Sequence, residues 1–449
     1  MAHRRRPGCP SAAAAAVIVV AFPLPQRPAV HAAIIILVFV ATYIGMAAGR
    51  FPWLQVDRTG IALLGVIALL ASRTVTLDDL GANIDTSTLV LLFALMIISA
   101  QFAAAGVYDV CADWILSKRT SPAMLLALTV AVCGGLSALL ANDIVTFIMA
   151  PLLIAGARGR GLDPRPFLIA LAGASNAGSA ATLIGNPQNI LIGQIGSLSF
   201  PVYLFTAIVP AAIALVVFYA VIWLLWHDRI DGTVMAVTRE VPDVPRHPFD
   251  RNQAIKAVVA MALLLGLFMT PLPRDIGGLL IAAILLSNRK ITSRTMIASV
   301  DWPLLLLFVC LFAITGALAD TGLPWSLISG LDAHGLLPSS LAVLAPLTLA
   351  MSNTIGNVPS VVLLLQVWPN PPQGALYGLA LLSSLAGNLL LIGSLANFIV
   401  VERAATYGVR LSFGEYARVG VPATLVSMAF AVAWLAWTGW LPWLPGGAN

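Results

Sequence analysis

The sequence predicts an all-α polytopic membrane protein, built from two inverted repeats with re-entrant hairpins and broken helices. Three observations lead to this fold class. Hydrophobic residues make up 59% of the 449 residues and charged residues only 10%, whereas soluble domains carry roughly 25% charged residues. Apolar runs of about 20 residues recur, and each is long enough to cross a hydrocarbon core about 30 Å thick. The third observation is an internal repeat.

The apolar runs define a topology. We predict membrane segments at 31–49, 60–72, 86–108, 121–157, 167–192, 200–227, 254–271, 275–288, 300–322, 338–369, 375–401 and 417–440. Lys and Arg concentrate in the cytoplasmic loops of membrane proteins, so we place the arginine-containing stretch 228–253 in the cytoplasm. Counting outward from it puts Arg58 and Arg403 on the cytoplasmic side, and Arg73 and Arg274 on the outer side.

Two segments are predicted to be re-entrant hairpins. Lys118 precedes segment 121–157 and Arg158 follows it, so both of its ends should face the cytoplasm. Segment 338–369 has no Lys or Arg in its flanking loops and should enter and leave from the outer side. Hairpins that enter from opposite faces favour a binding site at mid-membrane. The alternative is that each segment forms two ordinary spans.

The two halves of the chain match each other in sequence. Asp85 and Gly106 recur as Asp301 and Gly322, 216 positions later. The pattern Leu-Ile-Gly-x-x-x-Asn ends at Asn189 and recurs 208 positions later. Each half contains an odd number of predicted crossings, so the second half starts from the opposite side of the membrane. The repeat is therefore predicted to be inverted, as in many transporters.

The repeat suggests a division of the chain. We predict an inverted repeat at 31–227, a cytoplasmic linker at 228–253 and a second inverted repeat at 254–449. Residues 1–30 form an N-terminal segment that reads either as a signal peptide or as an extra span. The net charge of +5 is explained by the basic loops and does not indicate nucleic-acid binding.

Four polar clusters interrupt the apolar segments at matched places in the two halves. Polar groups and unwound backbone in a membrane core normally face a cavity or a protein partner, although small residues can also ease helix packing. The candidate site residues are Asn142, Asp143, Thr146, Ser179, Thr182, Gly185, Asn186, Asn189, Ser352, Asn353, Thr354, Asn357, Gly387, Asn388, Gly393 and Asn397.

The chemistry of these clusters suits small ions. Freed backbone carbonyls together with Asn, Ser and Thr oxygens suit a sodium ion, whereas the N-terminal ends of half-helices suit an anion. Asp143 could bind a cation, carry a proton or cap the helix that follows it. Asp85 and Asp301 are expected to cap long spans, and Glu402 with Arg403 to form a pair at the membrane interface.

These clusters resemble the ion transporter superfamily over about residues 34–440. That superfamily includes divalent anion/sodium symporters, citrate permeases, arsenite-efflux permeases and sodium/proton antiporters. The stretch 178–189, Gly-Ser-Ala-Ala-Thr-Leu-Ile-Gly-Asn-Pro-Gln-Asn, is similar to the broken-helix motif of its uncharacterised anion permease branch. Ser-Asn-Thr at 352–354 resembles the hairpin tip of the sodium-coupled carboxylate symporters. Asn142-Asp143, with Pro151 eight positions after the Asp, is similar to the arsenite permease pattern.

The resemblance implies an elevator-type transporter that is commonly a homodimer. It implies sodium near Asn142, Gly185, Asn353 and Gly393. Either Asn353 or Asn357 could correspond to Asn142, at offsets of 211 or 215. Asp143 stands where the carboxylate symporters would have Thr, so sodium and proton coupling both remain open.

We therefore expect a secondary active transporter of a small anion, either an inorganic oxyanion or a di- or tricarboxylate, in the inner membrane. A sodium or proton gradient would drive it, and no cofactor beyond sodium is expected. The alternatives are an arsenite efflux permease or a sodium/proton antiporter. An enzyme is not expected, because the chain lacks nucleophile-elbow and His-Glu-x-x-His motifs. No Lys precedes a Ser or Thr as a Walker A motif needs, so an ATPase could contribute only as a separate partner.

Overall fold

Every regular element in the described part of the chain is a helix. The computed structural model describes residues 29–48, 56–117, 121–230, 243–324, 326, 329–330, 337–368 and 370–444. Six of the helices are apolar and long enough to cross a membrane, the longest such stretch being Phe200–His227. The predicted all-α polytopic membrane fold is therefore confirmed. The N-terminal segment lies outside the described residues except for its last two, which begin the first helix.

The helices follow one another along the chain in two series, one in each half. The first half comprises α1 Ala29–Ala48, α2 Arg58–Ala71, α3 Leu77–Ala82, α4 Thr86–Ala104, α5 Val107–Ser117, α6 Pro122–Leu139, α7 Asn142–Gly159, α8 Arg165–Ser179, α9 Pro187–Ile195 and α10 Phe200–Ile230. The second half comprises α11 Arg251–Leu267, α12 Arg274–Leu286, α13 Ser293–Ala298, α14 Trp302–Ala319, α15 Leu341–Thr354, α16 Asn357–Val367, α17 Gln373–Ala386, a 3₁₀ turn Leu391–Gly393, α18 Leu395–Thr406 and α19 Phe413–Trp437.

Short polar side chains set the starts of several helices. Asp85 accepts a hydrogen bond from the Thr88 backbone N–H and Asp301 accepts one from the Leu304 backbone N–H. These bonds satisfy N–H groups that have no partner within the helix, which is the usual role of an N-cap. The predicted capping role of both aspartates is confirmed. The two helices that they cap, α4 and α14, begin 216 positions apart.

The two halves correspond helix by helix. The starts of α2 and α12 are 216 positions apart, those of α7 and α16 are 215 apart, and those of α9 and α18 are 208 apart. The offset shrinks where the connections in the second half are shorter. Asn357, the first residue of α16, therefore corresponds to Asn142, the first residue of α7.

Helices α6 and α7 form a hairpin that enters and leaves at one end of the molecule. Only residues 140–141, between the two helices, are not helical. Helix α6 runs parallel to α8, because Ser137 contacts Ser175 and Ala138 accepts a hydrogen bond from Thr182. The end of α7 joins the start of α8 through a short loop, so α7 runs back to the end at which α6 began.

Helices α15 and α16 form a second hairpin whose base lies at the opposite end. The backbone N–H of Leu341, which begins α15, donates to the carbonyl of Pro442 just beyond the C-terminus of α19 at 3.0 Å. Arg165, which follows the first hairpin, instead contacts Glu415 at the N-terminus of α19 at 2.9 Å. Helix α19 is 25 residues long, or roughly 37 Å at 1.5 Å per residue. The two hairpins thus enter from opposite ends.

Buried hydrogen bonds between the halves reveal a two-fold relation. The Nδ2 of Asn176 donates to the Oδ1 of Asn397 at 3.0 Å, and the Oγ of Ser384 donates to the Oδ1 of Asn189 at 3.0 Å. Asn176 and Ser384 are separated by 208 positions, and so are Asn189 and Asn397. Exchanging the two halves therefore maps each of these bonds onto the other, as a two-fold axis would. The boundaries of the repeats remain predictions.

The helices group into two packed assemblies. Helices α1–α4 and α11–α14 pack on one another, and we call them the framework. Helices α6–α10 and α15–α19 form the second assembly, which we call the hairpin unit. The described end of the linker, residues 243–250, lies against the framework. There Asp250 donates its backbone N–H to the Ala105 carbonyl and pairs through its carboxylate with Lys290 at 2.7 Å.

Candidate functional site

Four helices begin at one cavity of about 690 Å³. Their first residues, Asn142 of α7, Pro187 of α9, Asn357 of α16 and Leu395 of α18, all line it. Two of these starts come from each half of the chain. The first turn of a helix exposes unpaired N–H groups and carries a partial positive charge. Among the four, only α9 has a side-chain cap, which Asn186 supplies.

The first hairpin tip presents a free amide oxygen and a carboxylate. The side chain of Asn142 is 3% exposed, and its Nδ2 donates to the Oδ1 of Asn176 at 3.3 Å. Its Oδ1 has no hydrogen-bond partner among the described residues. Asp143 is 7% exposed, lines the cavity and makes no side-chain hydrogen bond within the described part of the chain. Asp143 is therefore not the cap of α7, so binding a cation or carrying a proton remain its open roles.

The second hairpin tip presents a similar amide without the carboxylate. Asn357 is 5% exposed and its Oδ1 also lacks a partner in the described residues. Gly356 precedes it with a φ of 95°, a left-handed conformation that favours glycine. The residue after Asn357 is Val358, in the position that Asp143 occupies at the first tip.

Arg58 reaches the second tip from the framework. Its guanidinium donates to the Ile392 carbonyl at 3.2 Å and lies 4.8 Å from the centre of the Phe398 ring. A Cβ added at Gly356 would lie 3.0 Å from this guanidinium. Arg58 is the only Lys or Arg among the described residues that line either cavity, and no described carboxylate pairs with it.

The sequence predicted Arg58 as a residue of the cytoplasmic side and as the repeat counterpart of Arg274, but not as a site residue. The structure places it instead against Ile392, 334 positions away along the chain. The available sequence signal was its counterpart Arg274, found 216 positions later at the start of α12. The Arg274 guanidinium donates to the Gly193 carbonyl at 2.9 Å and to the Leu198 carbonyl. Both arginines thus reach from the framework to the hairpin unit.

The two broken helices are held in the same way. The Nδ2 of Asn189 donates to the Thr182 carbonyl at 3.0 Å, and the Nδ2 of Asn397 donates to the Leu390 carbonyl at 3.2 Å. The two acceptors are again separated by 208 positions. Each asparagine therefore satisfies a carbonyl that the break in its helix leaves free.

Glycines allow the broken segments to fold tightly. A Cβ at Gly185 would lie 2.5 Å from the Ser179 carbonyl oxygen, and one at Gly393 would lie 2.8 Å from the Gly387 carbonyl oxygen. Gly185 also accepts a hydrogen bond from the backbone N–H of Asn142 at 3.1 Å. This bond fixes the first tip to the first broken helix.

Most of the other predicted residues form a buried network that joins the broken helices, rather than lining the 690 Å³ cavity. Its hub is Asn176, whose Oδ1 also accepts from Ser394 and whose Nδ2 also donates to Asn388. The predicted residues in this network are Ser179, Thr182, Asn186, Asn189, Gly387, Asn388 and Asn397. These residues hold the broken helices together without lining the cavity.

Asn353 lies away from the cavity. Its Nδ2 donates to the Ala386 carbonyl at 2.9 Å and its Oδ1 accepts from the Leu390 backbone N–H at 3.1 Å. The structure therefore brings Asn357, rather than Asn353, to the cavity wall. The offset of 215 applies at this tip.

Three further predicted residues do not line the 690 Å³ cavity. The Oγ1 of Thr146 donates to the Asp143 carbonyl within its own helix at 2.9 Å. Thr354 is exposed and donates to the Ala350 carbonyl at 2.9 Å. Ser352 is buried, and its hydroxyl has no partner among the described residues.

A second cavity of about 390 Å³ lies between α4 of the framework and helices α7 and α9. It shares Asp143, Pro187, Asp301 and Leu304 with the first cavity. Asp301, which was expected only as a helix cap, therefore also faces both cavities. Glu402 was predicted to form a pair with Arg403 but lines the first cavity, while the Arg403 guanidinium lies 4.1 Å from the centre of the Phe147 ring.

Comparison with known proteins identifies the family. A protein-family model described as Citrate transporter matches residues 34–374. The chain belongs to the citrate transporter family. An uncharacterized transporter of Mycobacterium tuberculosis is 30% identical over 428 residues, covering 90% of this chain and 97% of the relative. A silicon efflux transporter of Oryza sativa subsp. japonica is 26% identical, covering 85% of this chain and 93% of the relative.

The fold also resembles a transporter of known structure. The crystal structure of the Alcanivorax borkumensis YdaH transporter, described as having an unusual topology, superposes with a TM-score of 0.54 at 13% identity. The match covers 94% of this chain and 100% of that one. This likeness concerns the fold alone. Family membership and the apolar helices together make this chain a multi-pass membrane transporter, and the predicted family resemblance is confirmed.

Proposed function

We propose that this member of the citrate transporter family is a secondary active transporter of a small anion, either an inorganic oxyanion or a di- or tricarboxylate. The observation that carries the proposal is the meeting of four helix N-termini at one cavity, two from each half. Helix N-termini bind anions through unpaired N–H groups and the helix dipole. Arg58, with no carboxylate partner among the described residues, adds a fixed positive charge to the same wall.

The proposed driving force is a sodium or proton gradient. The free Oδ1 atoms of Asn142 and Asn357 are oxygen ligands of the kind that a sodium ion uses. The predicted sodium ligands are Asn142, Gly185, Asn353 and Gly393. Asn353 is the weakest candidate among them, because its Nδ2 and its Oδ1 are both already hydrogen-bonded. Asp143 offers a site for a proton, since a carboxylate deep in a membrane protein can alternate between charged and neutral forms.

A second candidate function is efflux of an oxyacid such as arsenite, or sodium/proton antiport. The observation that favours it is the buried carboxylate of Asp143 beside the cavity. Two relatives point the same way by name, the silicon efflux transporter and the putative transporter arsB of Dictyostelium discoideum, which is 22% identical. Proton exchange at Asp143 would then drive export.

Transport by the purified protein in lipid vesicles tests the proposal. Labelled citrate, succinate, sulfate and phosphate are offered under an imposed sodium gradient, an imposed proton gradient or no gradient. We expect at least one anion to accumulate above its external concentration only when a gradient is present. If no anion is accumulated or exchanged, while sodium-loaded vesicles change their internal pH without any anion, the antiporter candidate replaces the proposal.

We further propose that the protein works as a homodimer in the inner membrane, as the family resemblance implies. An ion gradient suffices for the proposed transport, so the proposal requires no separate ATPase. The mass of the detergent-solubilised protein, measured by light scattering with the detergent contribution subtracted, tests the dimer. A mass near the 47.1 kDa of one chain would contradict it.

A further inference from the structure

The two hairpin tips are equivalent in backbone and different in charge. Asn142 and Asn357 each begin the second helix of their hairpin, and each has an amide Oδ1 without a partner among the described residues. The next position is Asp143 at the first tip and Val358 at the second. Both of the two-fold related tips therefore carry an amide, but only the first carries a carboxylate beside it.

The first tip is the electronegative end of the cavity. Asp143 and Asp301 both line it, and the described residues supply no cationic partner to Asp143. The amide of Asn142 is anchored, because its Nδ2 donates to Asn176. The anchored amide leaves only its buried oxygen, an acceptor, without a partner among the described residues. An anchored carbonyl oxygen next to a carboxylate favours a cation and disfavours an anion.

The second tip has the one Lys or Arg among the described residues that line the first cavity, which Asp57 and Glu402 also line. The Arg58 guanidinium lies against Gly356, donates to the Ile392 carbonyl and covers the Phe398 ring. One guanidinium carries five N–H donors, so donors remain beyond the one that the Ile392 carbonyl accepts. The amide of Asn357 makes no side-chain hydrogen bond to described residues, and its buried Oδ1 has no partner among them.

The equivalent position of Asn176 explains why only one tip is anchored. In the second half that position is Ser384, 208 residues later. The Ser384 hydroxyl is shorter and is already bonded to Asn186 and Asn189. The second tip thus lacks a hydrogen-bonding side chain at the position of Asn176, and the Asn357 amide packs against Gly387 instead.

We propose that the cavity is divided between the two tips, so that the coupling cation binds at Asn142 and Asp143 while the transported anion binds at Asn357 against Arg58. This inference rests on the proposed anion transport and adds to it where each ion sits. It assigns one cation subsite and one anion subsite to two positions that the fold makes equivalent.

Charge variants at the second tip test the anion subsite. Val358→Asp adds a carboxylate beside Arg58, and Val358→Asn adds a side chain of the same shape without the charge. The probe is whichever of citrate, succinate, sulfate and phosphate the wild-type protein exchanges across vesicles. We expect the half-saturating anion concentration to be at least tenfold higher in Val358→Asp than in Val358→Asn, and to rise similarly in Arg58→Gln. The half-saturating sodium or proton concentration should change less than threefold.

A variant at the first tip tests the cation subsite. We expect Asp143→Asn to lose the dependence of uptake on the imposed gradient, while exchange of the same anion continues with a half-saturating concentration within threefold of wild type. The opposite selectivity of the Arg58 and Asp143 variants is the signature of two subsites. Gel filtration of each purified variant confirms that it is folded before transport is compared.

Three outcomes overturn the inference. Equal effects of Val358→Asp and Val358→Asn on the anion would show that charge at the second tip is irrelevant. A parallel loss of anion and cation affinity in Arg58→Gln would show a single shared site. Full gradient-driven accumulation by Asp143→Asn would remove the cation from the first tip. Failure of the wild-type protein to exchange any of the four anions would instead overturn the proposed function itself, and the division with it.

Discussion

The two hairpins of this transporter are built alike and held differently. At the first tip, the amide of Asn142 is bonded to Asn176 and its backbone N–H to Gly185. At the second tip, the Asn357 side chain has no hydrogen bond to described residues, and Arg58 from the framework lies against the neighbouring Gly356. The first tip is therefore fixed within the hairpin unit, whereas the second tip is contacted from outside it.

The difference shows how a symmetric fold can acquire unequal sites. The paired bonds Asn176–Asn397 and Ser384–Asn189 keep the two halves in register. Because these bonds lie behind the cavity, side chains at its surface are free to diverge without loss of the fold. The one-position change from a carboxylate at Asp143 to an apolar side chain at Val358 is the difference on which the proposed opposite preferences of the tips rest.

The largest expected contrast concerns the bases of the two hairpins. Gly159 ends α7 and Gln373 begins α17, and both are exposed. In a background without the four native cysteines, we expect Gly159→Cys to be labelled only from the cytoplasmic side and Gln373→Cys only from the outer side. A membrane-impermeant maleimide applied to intact cells and to inverted vesicles measures this. Labelling of both from one side would contradict the opposed hairpins.

A smaller contrast concerns helix packing in the two repeats. A Cβ at Gly178 of α8 would overlap the carbonyl of Gly134 in α6, whereas the counterpart of Gly178 in the second half is Ala386. We expect Gly178→Ala to destabilise the protein by about 1–3 kcal/mol, as overpacking does. Thermal unfolding in detergent measures the loss. Gly135→Ala is the matched control, because no atom lies within 4 Å of its added Cβ. Equal stability of the two variants would show that the helices can separate.

The smallest expected effect concerns the anchor of the first tip. Asn176→Ser gives the first repeat the side chain that the second repeat has at Ser384, and it removes the bond that holds Asn142. Loss of the bond to Asn142, about 1 kcal/mol, should weaken activation by sodium or protons about fivefold. Loss of the Asn176 bonds to Asn388, Asn397 and Ser394 should also lower the stability of the hairpin unit. The concentration of cation needed for half-maximal uptake measures the activation. Ser427→Ala removes a buried hydroxyl that has no described partner and should leave that concentration unchanged. An equal shift in both variants would make the effect of Asn176 merely structural.

Much of the architecture could be predicted from local patterns in the sequence. The offsets of 216 and 208 positions located the repeats, since helix starts recur with the same spacing. The basic residues on both sides of segment 121–157 predicted a hairpin with both ends on one side. The asparagines of the two Leu-Ile-Gly-x-x-x-Asn patterns proved to be equivalent residues that hold the broken helices.

The parts that the sequence could not predict depend on contacts between distant residues. Arg58 looked like a loop charge, because nothing near it in the chain indicates Ile392. The choice between Asn353 and Asn357 remained open because both are polar residues of one cluster. It is the backbone turn at Gly356, with its φ of 95°, that decides which of them begins the helix at the cavity. Local composition does not indicate where such a turn falls.

The two framework arginines contact different parts of the two equivalent broken helices. Arg58 contacts Ile392 and Phe398, whose counterparts in the first half are residues 184 and 190, yet its own counterpart Arg274 contacts residues 193 and 198. The positions that the two arginines contact therefore differ by eight or nine residues between the two equivalent segments. In transporters with inverted repeats, the site opens to the two sides in turn, largely by movement of one bundle against the other. An exchange of the two contact patterns would bring Arg58 to residues 401 and 406, and Arg274 to residues 184 and 190.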